Sequence, residues 1–287
     1  MNIGFIGLGT MGQPVALHLM RGGHAMGVYA RRPGALEPLL ARGATAYATP
    51  CEVASHSNVV FTMVTATADV EEVLFASAGV ESGGRPGLTV IDMSTIAPAA
   101  ARDFASRLAR KGIDMIDAPV SGGPDGARNG TLTIMAGGSL AAFNRARPLF
   151  ECFATTIFRM GESGAGQTTK ACHQLLLLIT AEGAAEALTL ASRNGVDPVL
   201  AQKAMMSGIA SSRVLDRFGS RMATREFAGG IASRLYRKDL QIGLDLATRS
   251  SLAVPAGEAT MEHIRRLMDN GLGDADLSAL ITVIEGS

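Results

Sequence analysis

Three polar side chains, Lys170, His173 and Gln174, stand near the start of a predicted helix whose next residues, 175–179, are all apolar. Residues three and four positions apart share one face of a helix, so these side chains should point the same way. A cation, an imidazole and an amide are costly to bury unless they have partners. The pattern therefore indicates a functional site, with a solvated lysine whose stem lies along apolar surface as the structural alternative.

Lysine is scarce in this chain, which has four lysines and 22 arginines. Arginine keeps its proton in proteins, whereas burial lowers the pKa of a lysine and allows it to act as a base. The positive end of the helix dipole should lower the pKa of Lys170 further. We therefore predict Lys170 as a general acid–base group, with Gln174 and His173 orienting it or the substrate.

The length and composition limit the class of protein. A chain of 287 residues forms one large or two ordinary domains, and its formal net charge of zero gives no broad attraction to nucleic acid or membranes. Three distant cysteines predict neither a disulfide framework nor a metal site, and they suit the cytoplasm. The N-terminus lacks the pattern of a signal peptide. The sequence contains no charge-free run of about 18 apolar residues, so we predict no membrane span.

A glycine-rich loop connects a predicted strand, residues 2–6, to a predicted helix, residues 13–21. The loop reads Gly7-Leu8-Gly9-Thr10-Met11-Gly12, a pattern that binds dinucleotides in this strand–helix context. Gly7 permits the tight turn, Gly9 lets the backbone approach a pyrophosphate, and Gly12 lets helix and strand pack closely. We predict a nicotinamide cofactor here, and a simple glycine-rich turn is the alternative.

The second predicted strand, residues 25–30, ends without the acid that usually holds the ribose of NAD about 20 residues past the glycines. Arg31 and Arg32 follow instead, and two cations suit the 2′-phosphate of NADP. NADP is therefore the predicted cofactor, and NAD is the alternative if both arginines are solvated turn residues.

Strands and helices alternate up to Gly161, which predicts an α/β Rossmann-type, doubly wound domain with a parallel sheet. Ligands bind at the carboxyl edge of such sheets. Met63, Val64, Thr65 and Thr95 stand at or just beyond the carboxyl ends of two predicted strands, and we predict that they contact the cofactor. Thr95 has a second interpretation as the N-cap of the next helix.

The segment Ser121-Gly122-Gly123 offers a hydroxyl and closely spaced backbone N–H groups, which predicts a carboxylate-binding nest. A loop turning round the sheet edge is the alternative. The rest of the chain has helical periodicity and begins with a long helix over residues 165–194. We predict a Rossmann domain over residues 1–162 and an all-α domain over residues 163–287, joined by this long interdomain helix.

Four ordered motifs together resemble the β-hydroxyacid dehydrogenase family, which includes 3-hydroxyisobutyrate dehydrogenase. They are the glycine-rich loop, the run from Asp117 to Gly123, the run from Gly161 to Lys170, and Lys238-Asp239-Leu240. The resemblance covers the whole chain. Many members have Asn four residues after the catalytic lysine, whereas this chain has Gln174. The run from His173 to Leu176 looks like the L-threonate dehydrogenase branch, close to tartronate semialdehyde reductase.

The resemblance implies Lys170 as the catalytic acid–base group, with the active site in an interdomain cleft. It also implies that Ser121, Gly122 and Gly123 bind the substrate carboxylate and that Lys238 lies near the nicotinamide. Family members are usually homodimers or homotetramers. The expected activity is hydride transfer between nicotinamide and the β-carbon of a small 3-hydroxy acid.

Three alternative functions stay open at this point. The first is reduction of small semialdehydes such as tartronic or succinic semialdehyde. The second is a non-catalytic dinucleotide-binding module, which Lys170 argues against because such relatives typically lose the lysine. The third is imine reduction, disfavoured for the same reason.

Overall fold

Short apolar runs such as Val59–Thr62 and Thr89–Asp92 form fully buried strands, as expected of a sheet covered on both faces. The computed structural model describes residues 1–286 and divides the chain into two units, Met1–Lys170 and Ala171–Ser287. The strands of the first unit are β1 Asn2–Ile6, β2 Ala25–Tyr29, β3 Thr45–Ala46, β4 Val59–Thr62, β5 Thr89–Asp92, β6 Asp114–Asp117, β7 Val120–Ser121, β8 Leu132–Gly137 and β9 Ala154–Gly161.

Helices separate most of these strands along the chain. They are α1 Gly12–Arg21, α2 Glu37–Leu40, α3 Pro50–Ser55, α4 Thr67–Phe75, α5 Val80–Gly83, α6 Pro98–Ala109, α7 Gly123–Asn129 and α8 Leu140–Phe150, with a 3₁₀ turn at Pro33–Ala35. Several begin with a proline, a residue that suits the first helical turn because its missing N–H would be unpaired there anyway.

The sheet of the first unit runs in the order β3-β2-β1-β4-β5-β6-β8, and both β7 and β9 pair with β8. The six strands from β3 to β6 in this order are parallel, with Ile6 opposite Thr62 and Thr62 opposite Asp92 at the carboxyl edge. This register brings the ends of β1, β4 and β5 together, where ligands bind in open α/β sheets.

Successive residues of the central strands enter two different cores. Phe5, Phe61 and Ile91 pack into one cluster with residues of α1 and α8. Val60 and Val90 pack into another with residues of α3, α4 and α6. Because side chains alternate across a strand, these clusters lie on opposite faces of the sheet. The predicted doubly wound Rossmann-type domain is therefore confirmed.

The sheet differs from the prediction near its far end, where it is mixed rather than wholly parallel. Strand β8 is antiparallel to β6 and to β7. The short strand β7 and the helix α7 occupy a segment for which neither a strand nor a helix was predicted from the sequence. Gly122, with φ of 125°, turns the chain from β7 directly into α7.

The second unit is helical, as predicted. Its elements are most of α9 Ala165–Arg193, α10 Pro198–Met206, α11 Ser220–Thr224, α12 Ser233–Arg249, α13 Pro255–Asp269 and α14 Leu280–Glu285, with a π-helical segment at Leu215–Gly219 and a 3₁₀ turn at Leu277–Ala279. Its main core combines α9 residues such as Leu178 and Leu188 with Phe218, Leu240 and Ile264. Apolar residues at helical spacing predict a helix over residues 211–221, and in the structure a π-helical segment within that stretch leads into α11.

Helix α9 spans the division between the units, which falls between Lys170 and Ala171. The predicted domain boundary lies eight residues earlier in the chain. By length and composition α9 could cross a membrane. No membrane span was predicted from the sequence, because it contains no charge-free apolar run of sufficient length. Length and composition are weak evidence for a span, because core helices pass the same test, and Leu178, Ala181 and Ala185 are buried in the core of the second unit.

Candidate active site and cofactor pocket

The glycine-rich loop has the geometry that its sequence predicts. Gly7 has φ of 97°, and a Cβ there would lie 2.3 Å from the carbonyl oxygen of Met63. Gly12 is the first residue of α1, and a Cβ there would lie 2.0 Å from the carbonyl oxygen of Gly7. A Cβ on Gly9 would meet no atom within 4 Å. Gly7 and Gly12 are thus required by packing, whereas Gly9 leaves open space above the loop.

That open space belongs to a cavity of about 590 Å³ within the first unit. Its walls come from the glycine-rich loop, the ends of β2 and β4, and one side of α4. The lining residues are 6–9, 29–32, 35, 49–50, 63–65, 69, 72–73 and 76–78. Its volume falls within the range of ligand and cofactor sites, and its position fits a dinucleotide lying across the carboxyl edge of the sheet.

Most of the predicted cofactor residues line this cavity, namely Gly7, Leu8, Gly9, Arg31, Arg32, Met63, Val64 and Thr65. Thr10, Met11 and Gly12 lie beyond the lining, where the loop turns into α1. Thr95 lies in the loop after β5, and the helix α6 begins three residues later at Pro98. Thr95 is thus too far from that helix to be its N-cap, the position that Ala97 occupies.

The Arg31 guanidinium lies 3.3 Å from Oδ1 of Asp69 on the opposite wall of the cavity. Oδ2 of the same carboxylate accepts the backbone N–H of Ala66 at 3.0 Å, at the start of α4. The Asp69 carboxylate therefore connects the end of β2 to the first turn of α4. No sequence pattern indicates this pair, whose members are 38 residues apart in the chain.

A buried hydrogen-bond network supports the carboxyl edge of the sheet. Oδ1 of Asp92 accepts the Thr62 hydroxyl at 2.8 Å and the Ser94 hydroxyl at 2.7 Å. Oγ of Ser94 in turn accepts the backbone N–H of Val64 at 3.0 Å. The carboxylate thus fixes both strand ends from which Val64 and Thr95 extend. Buried hydrogen bonds of this kind favour one arrangement of the backbone.

Gln167, in the first turn of α9, joins that network. Its side-chain N–H donates to the carbonyl oxygen of Ser94 at 2.7 Å, and its Oε1 accepts the N–H of Ile96 at 3.1 Å. One amide therefore holds the loop after β5 from both sides. Gln167 is 1% exposed, so both its donor and its acceptor need partners inside the protein.

Asp117, at the end of β6, holds the start of α9. Its Oδ1 accepts the N–H of Gly164 at 2.7 Å, and its Oδ2 accepts the N–H of Gln167 at 2.9 Å. These are backbone donors that a helix start leaves unpaired. Burial, with a smaller contribution from the nearby Asp92 charge, raises the pKa of Asp117 to about 6, although these two hydrogen bonds act to lower it.

Lys170 follows one turn along α9 and is only 7% exposed. Its Nζ donates to the carbonyl oxygen of Val120 at 2.8 Å. Val120 precedes Ser121 in the strand β7, so the amine lies beside the backbone of the predicted carboxylate-binding segment. The alternative interpretation of Lys170 as a solvated surface lysine is thus wrong.

A second polar cluster lies within the helical unit. Nε2 of Gln174 donates to Oδ2 of Asp239 at 2.6 Å, and its Oε1 lies 3.0 Å from Nδ1 of His173. Lys238 Nζ is 2.8 Å from Oδ1 of Asp239. Asp239, which the prediction did not include as a site residue, therefore pairs with two predicted site residues, Gln174 and Lys238, while His173 contacts Gln174.

The residues that the prediction missed are Asp69, Asp92, Asp117, Gln167 and Asp239. Two of them had a usable signal, because Asp92 and Asp117 each end a strand at the carboxyl edge of the sheet. The described residues contain no group of three or more His, Cys, Asp and Glu side chains that could hold a metal ion.

Comparison with known proteins agrees with this geometry. Residues 2–161 match the model of the NAD-binding domain of 6-phosphogluconate dehydrogenase, and residues 164–284 match the NAD-binding model of NADP-dependent 3-hydroxyisobutyrate dehydrogenase. The chain is 42% identical to the 2-hydroxy-3-oxopropionate reductase of Escherichia coli K12, over 99% of this chain and 97% of that protein.

The chain belongs to the β-hydroxyacid dehydrogenase family. It is also 34% identical to the NAD-dependent L-serine dehydrogenase of Pseudomonas aeruginosa, over 97% and 96% of the two chains. The crystal structure of a 3-hydroxyisobutyrate dehydrogenase from Salmonella typhimurium superposes with a TM-score of 0.90 at 32% identity, covering 99% of both chains. The predicted family, fold and use of NAD or NADP are thus confirmed.

As a member of this β-hydroxyacid dehydrogenase family, the chain is an NAD(P)-dependent oxidoreductase that acts on the CH–OH group of small hydroxy acids. The pocket residues fit that cofactor, because the bare backbone at Gly9 leaves room for a pyrophosphate. The described cysteines, Cys51, Cys152 and Cys172, are free thiols.

Two glycines in the same loop should respond differently to alanine. Gly12→Ala should lower the free energy of unfolding by about 1–3 kcal/mol, the usual cost of overpacking, because its Cβ would collide with the Gly7 carbonyl. Gly9→Ala should keep the wild-type melting temperature and bind NADPH more weakly, because its methyl group fills open space. Thermal unfolding and NADPH fluorescence titration test both, and wild-type NADPH affinity in Gly9→Ala would contradict the assignment.

Asp117 should make stability depend on pH. Its pKa is about 6 in the folded protein and 3.8 as a free side chain, so the folded state binds the proton more tightly. The stability it contributes is complete below about pH 4 and is lost as pH rises through about 6. The free energy of unfolding of the wild type, measured relative to that of Asp117→Asn, should therefore fall by up to ~3 kcal/mol as the pH rises from about 4 to about 6. This estimate uses about 1.4 kcal/mol for each unit of pKa difference.

Urea denaturation between pH 4 and pH 8 measures this difference. Asp103→Asn is the matched control, because Asp103 is 62% exposed and its recorded ion pair is with Arg107 at 3.6 Å. The control should differ from wild type by a nearly constant amount across the same pH range. An Asp117→Asn difference that does not change with pH would contradict the assigned titration.

Proposed function

We propose that the enzyme transfers hydride between the nicotinamide and the β-carbon of a small 3-hydroxy acid, of the 3-hydroxyisobutyrate or L-threonate type, with Lys170 as the proton carrier. The observation that supports this most directly is the buried amine of Lys170 on the Val120 carbonyl. An amine next to the Ser121 segment could reach a hydroxyl on a substrate whose carboxylate is bound by that segment.

Ser121, Gly122 and Gly123 are proposed to bind the substrate carboxylate. Gly122 and Gly123 have φ of 125° and 62°, backbone conformations that favour glycine. Without side chains, their N–H groups can approach an anion closely, as in other backbone nests. The Ser121 hydroxyl would add one further donor to the same carboxylate.

Lys170 is proposed to move the proton that accompanies hydride transfer. A nicotinamide bound in the pocket would supply the hydride chemistry, as acceptor from the β-carbon in oxidation and as donor to it in reduction. In oxidation the neutral amine takes the hydroxyl proton, and in reduction the protonated amine returns it to the carbonyl oxygen. Asp117 and Gln167 support this role indirectly, because they fix the start of the helix that carries Lys170.

Gln174, His173 and Lys238 are proposed, on the family resemblance, as groups that orient the substrate and contact the nicotinamide. Within the second unit the Asp239 carboxylate binds both Gln174 and Lys238. Charge-assisted hydrogen bonds of this kind are stronger than neutral ones. Asp239 would therefore fix which way the Gln174 amide is turned.

Reduction of small semialdehydes is the second candidate, and one comparison favours it. The 42% identical relative from Escherichia coli is a 2-hydroxy-3-oxopropionate reductase, whose named substrate is tartronic semialdehyde. Reduction of that aldehyde uses the same proton carrier and carboxylate site, with the β-carbon receiving the hydride.

NADP is the proposed preferred cofactor, because Arg31 and Arg32 line the pocket at the end of β2, the position where NAD-specific folds carry an acid. A homodimer or homotetramer is also proposed. Leu176 and Leu190 on α9 are 69% and 66% exposed in one chain, and exposed apolar surface of this kind marks interaction sites. The free thiols suit a reducing compartment such as the cytoplasm.

A spectrophotometric screen at 340 nm tests the proposed reaction. Small hydroxy acids are offered with NADP and NAD, and the corresponding semialdehydes with NADPH and NADH. We expect turnover of at least one 3-hydroxy acid or its semialdehyde, with higher kcat/KM for the NADP couple. A protein that binds cofactor and turns over none of these compounds would be a binding module, and a strong NAD preference would refute the role of Arg31 and Arg32.

Lys170→Ala should lower kcat by about 100- to 10,000-fold, the usual contribution of a general acid–base group, while NADPH binding survives. Lys170→Arg should be equally impaired, because arginine keeps its proton. Lys111→Ala is the matched control, an exposed lysine in the same unit, and should retain wild-type kcat. Activity of Lys170→Ala within a few-fold of wild type would remove Lys170 from the mechanism.

A further inference from the structure

The cofactor cavity carries opposite charges on facing walls. Arg31 and Arg32 come from the end of β2, and Asp69 and Glu72 come from α4. The Arg31 guanidinium and the Asp69 carboxylate are 3.3 Å apart, with side chains 68% and 24% exposed. The cation proposed for the 2′-phosphate of NADP is thus already paired with an acid of the same pocket.

Asp69 cannot readily move away from this position. Its second oxygen, Oδ2, accepts the backbone N–H of Ala66 at 3.0 Å, which satisfies one of the donors at the start of α4. The first oxygen, Oδ1, faces Arg31. The negative charge is therefore a fixed part of the wall, whereas the exposed Arg31 side chain is free to rotate toward a ligand.

We propose that Asp69 is a specificity-determining residue, which lowers the preference for NADP over NAD by competing with the 2′-phosphate for Arg31. The inference rests on the proposed NADP preference. Asp69 of α4 thus places an acid near the end of β2, where the β2 sequence itself has none. To bind Arg31, a 2′-phosphate must either displace the Asp69 carboxylate from the guanidinium or bind the guanidinium together with it. The neutral 2′-hydroxyl of NAD does not compete with Asp69 for Arg31.

The competition is expected to be modest, because Arg31 is largely exposed and solvent weakens its ion pair. Exposed ion pairs are weak, and breaking one should change the affinity of a competing anion by a correspondingly small factor. Removing the Asp69 charge should therefore tighten binding of a 2′-phosphate by roughly two- to fivefold. A ligand without the phosphate should bind with unchanged affinity. The gain should also shrink at high salt, because exposed charges are screened.

The test is calorimetric binding of adenosine 2′,5′-bisphosphate and of AMP to the full-length protein. Asp69→Asn removes the charge and keeps an oxygen that can accept the Ala66 N–H. We expect its Kd for the bisphosphate to fall roughly two- to fivefold and its Kd for AMP to stay at the wild-type value. Glu71→Gln is the matched control, because Glu71 lies on the same helix, pairs with Arg107 and does not line the cavity.

A double-mutant cycle with Arg31→Ala identifies the route of the effect. If Asp69 acts through Arg31, Asp69→Asn should give no gain in the Arg31→Ala background. An equal gain in both backgrounds, an equal gain for AMP, or no gain in Asp69→Asn would each overturn the proposal. Melting temperatures of all variants are compared, and Asp69→Ser replaces Asp69→Asn if that variant unfolds.

The binding readout separates this inference from the proposed reaction. Wild-type protein that binds the bisphosphate more tightly than AMP, with the expected response to Asp69→Asn, supports the role of Asp69 even if the substrate screen fails. Wild-type protein that binds both ligands equally would overturn the NADP preference and the role of Asp69 together, while hydride transfer with NAD would still stand.

Discussion

A buried carboxylate at the end of a strand holds the start of the longest helix in this protein. Asp117 accepts two backbone N–H groups from the turn at Gly164 to Gln167, and no bulkier residue fits beside it. A Cβ on Gly137 or Gly166 would lie within 3 Å of the Asp117 carboxylate or of neighbouring backbone. The first turn of α9 is therefore held in place within the first unit by hydrogen bonds and by close packing of backbone.

The polar network around Asp92 extends this constraint across the carboxyl edge of the sheet. Asp92 fixes Thr62 and Ser94, and Gln167 connects Ser94 to the helix start that Asp117 holds. The elements that carry the cofactor pocket and Lys170 are thus joined by buried hydrogen bonds. Each bond contributes only about 1 kcal/mol net, but leaving any of these buried groups without its partner would cost more, so the arrangement is well specified.

Patterns local in sequence predicted most of the fold. Strand β1 and the start of α9 lie at the predicted residues, because the apolar and glycine patterns that mark them act over a few positions. The mixed end of the sheet was missed because Gly122, Gly123 and Pro124 are typical of loops. The π-helical segment at Leu215–Gly219 was missed because its apolar spacing is close to that of an α-helix.

Only those parts of the candidate site that lie within one local motif could be predicted from the sequence. The first half of the glycine-rich loop, Gly7 to Gly9, and the residues after β4 carry their own sequence signal, and they line the cavity. The pairs Asp117–Gln167 and Gln167–Ser94 join residues 50 and 73 positions apart, and Arg31–Asp69 joins residues 38 apart. No local pattern reveals such a partner, because it depends on how distant elements meet in the folded chain.

The division of the chain inside α9 has a consequence for how the amine of Lys170 is held. Only six residues of the helix, Ala165 to Lys170, belong to the first unit, and a segment of that length is not stable as a helix by itself. The remaining turns, packed in the second unit, must supply the cooperativity that keeps these six residues helical. A fragment that ends at residue 170 would contain every residue of the first unit. Its Lys170 amine would nevertheless lie on a short helical end that frays.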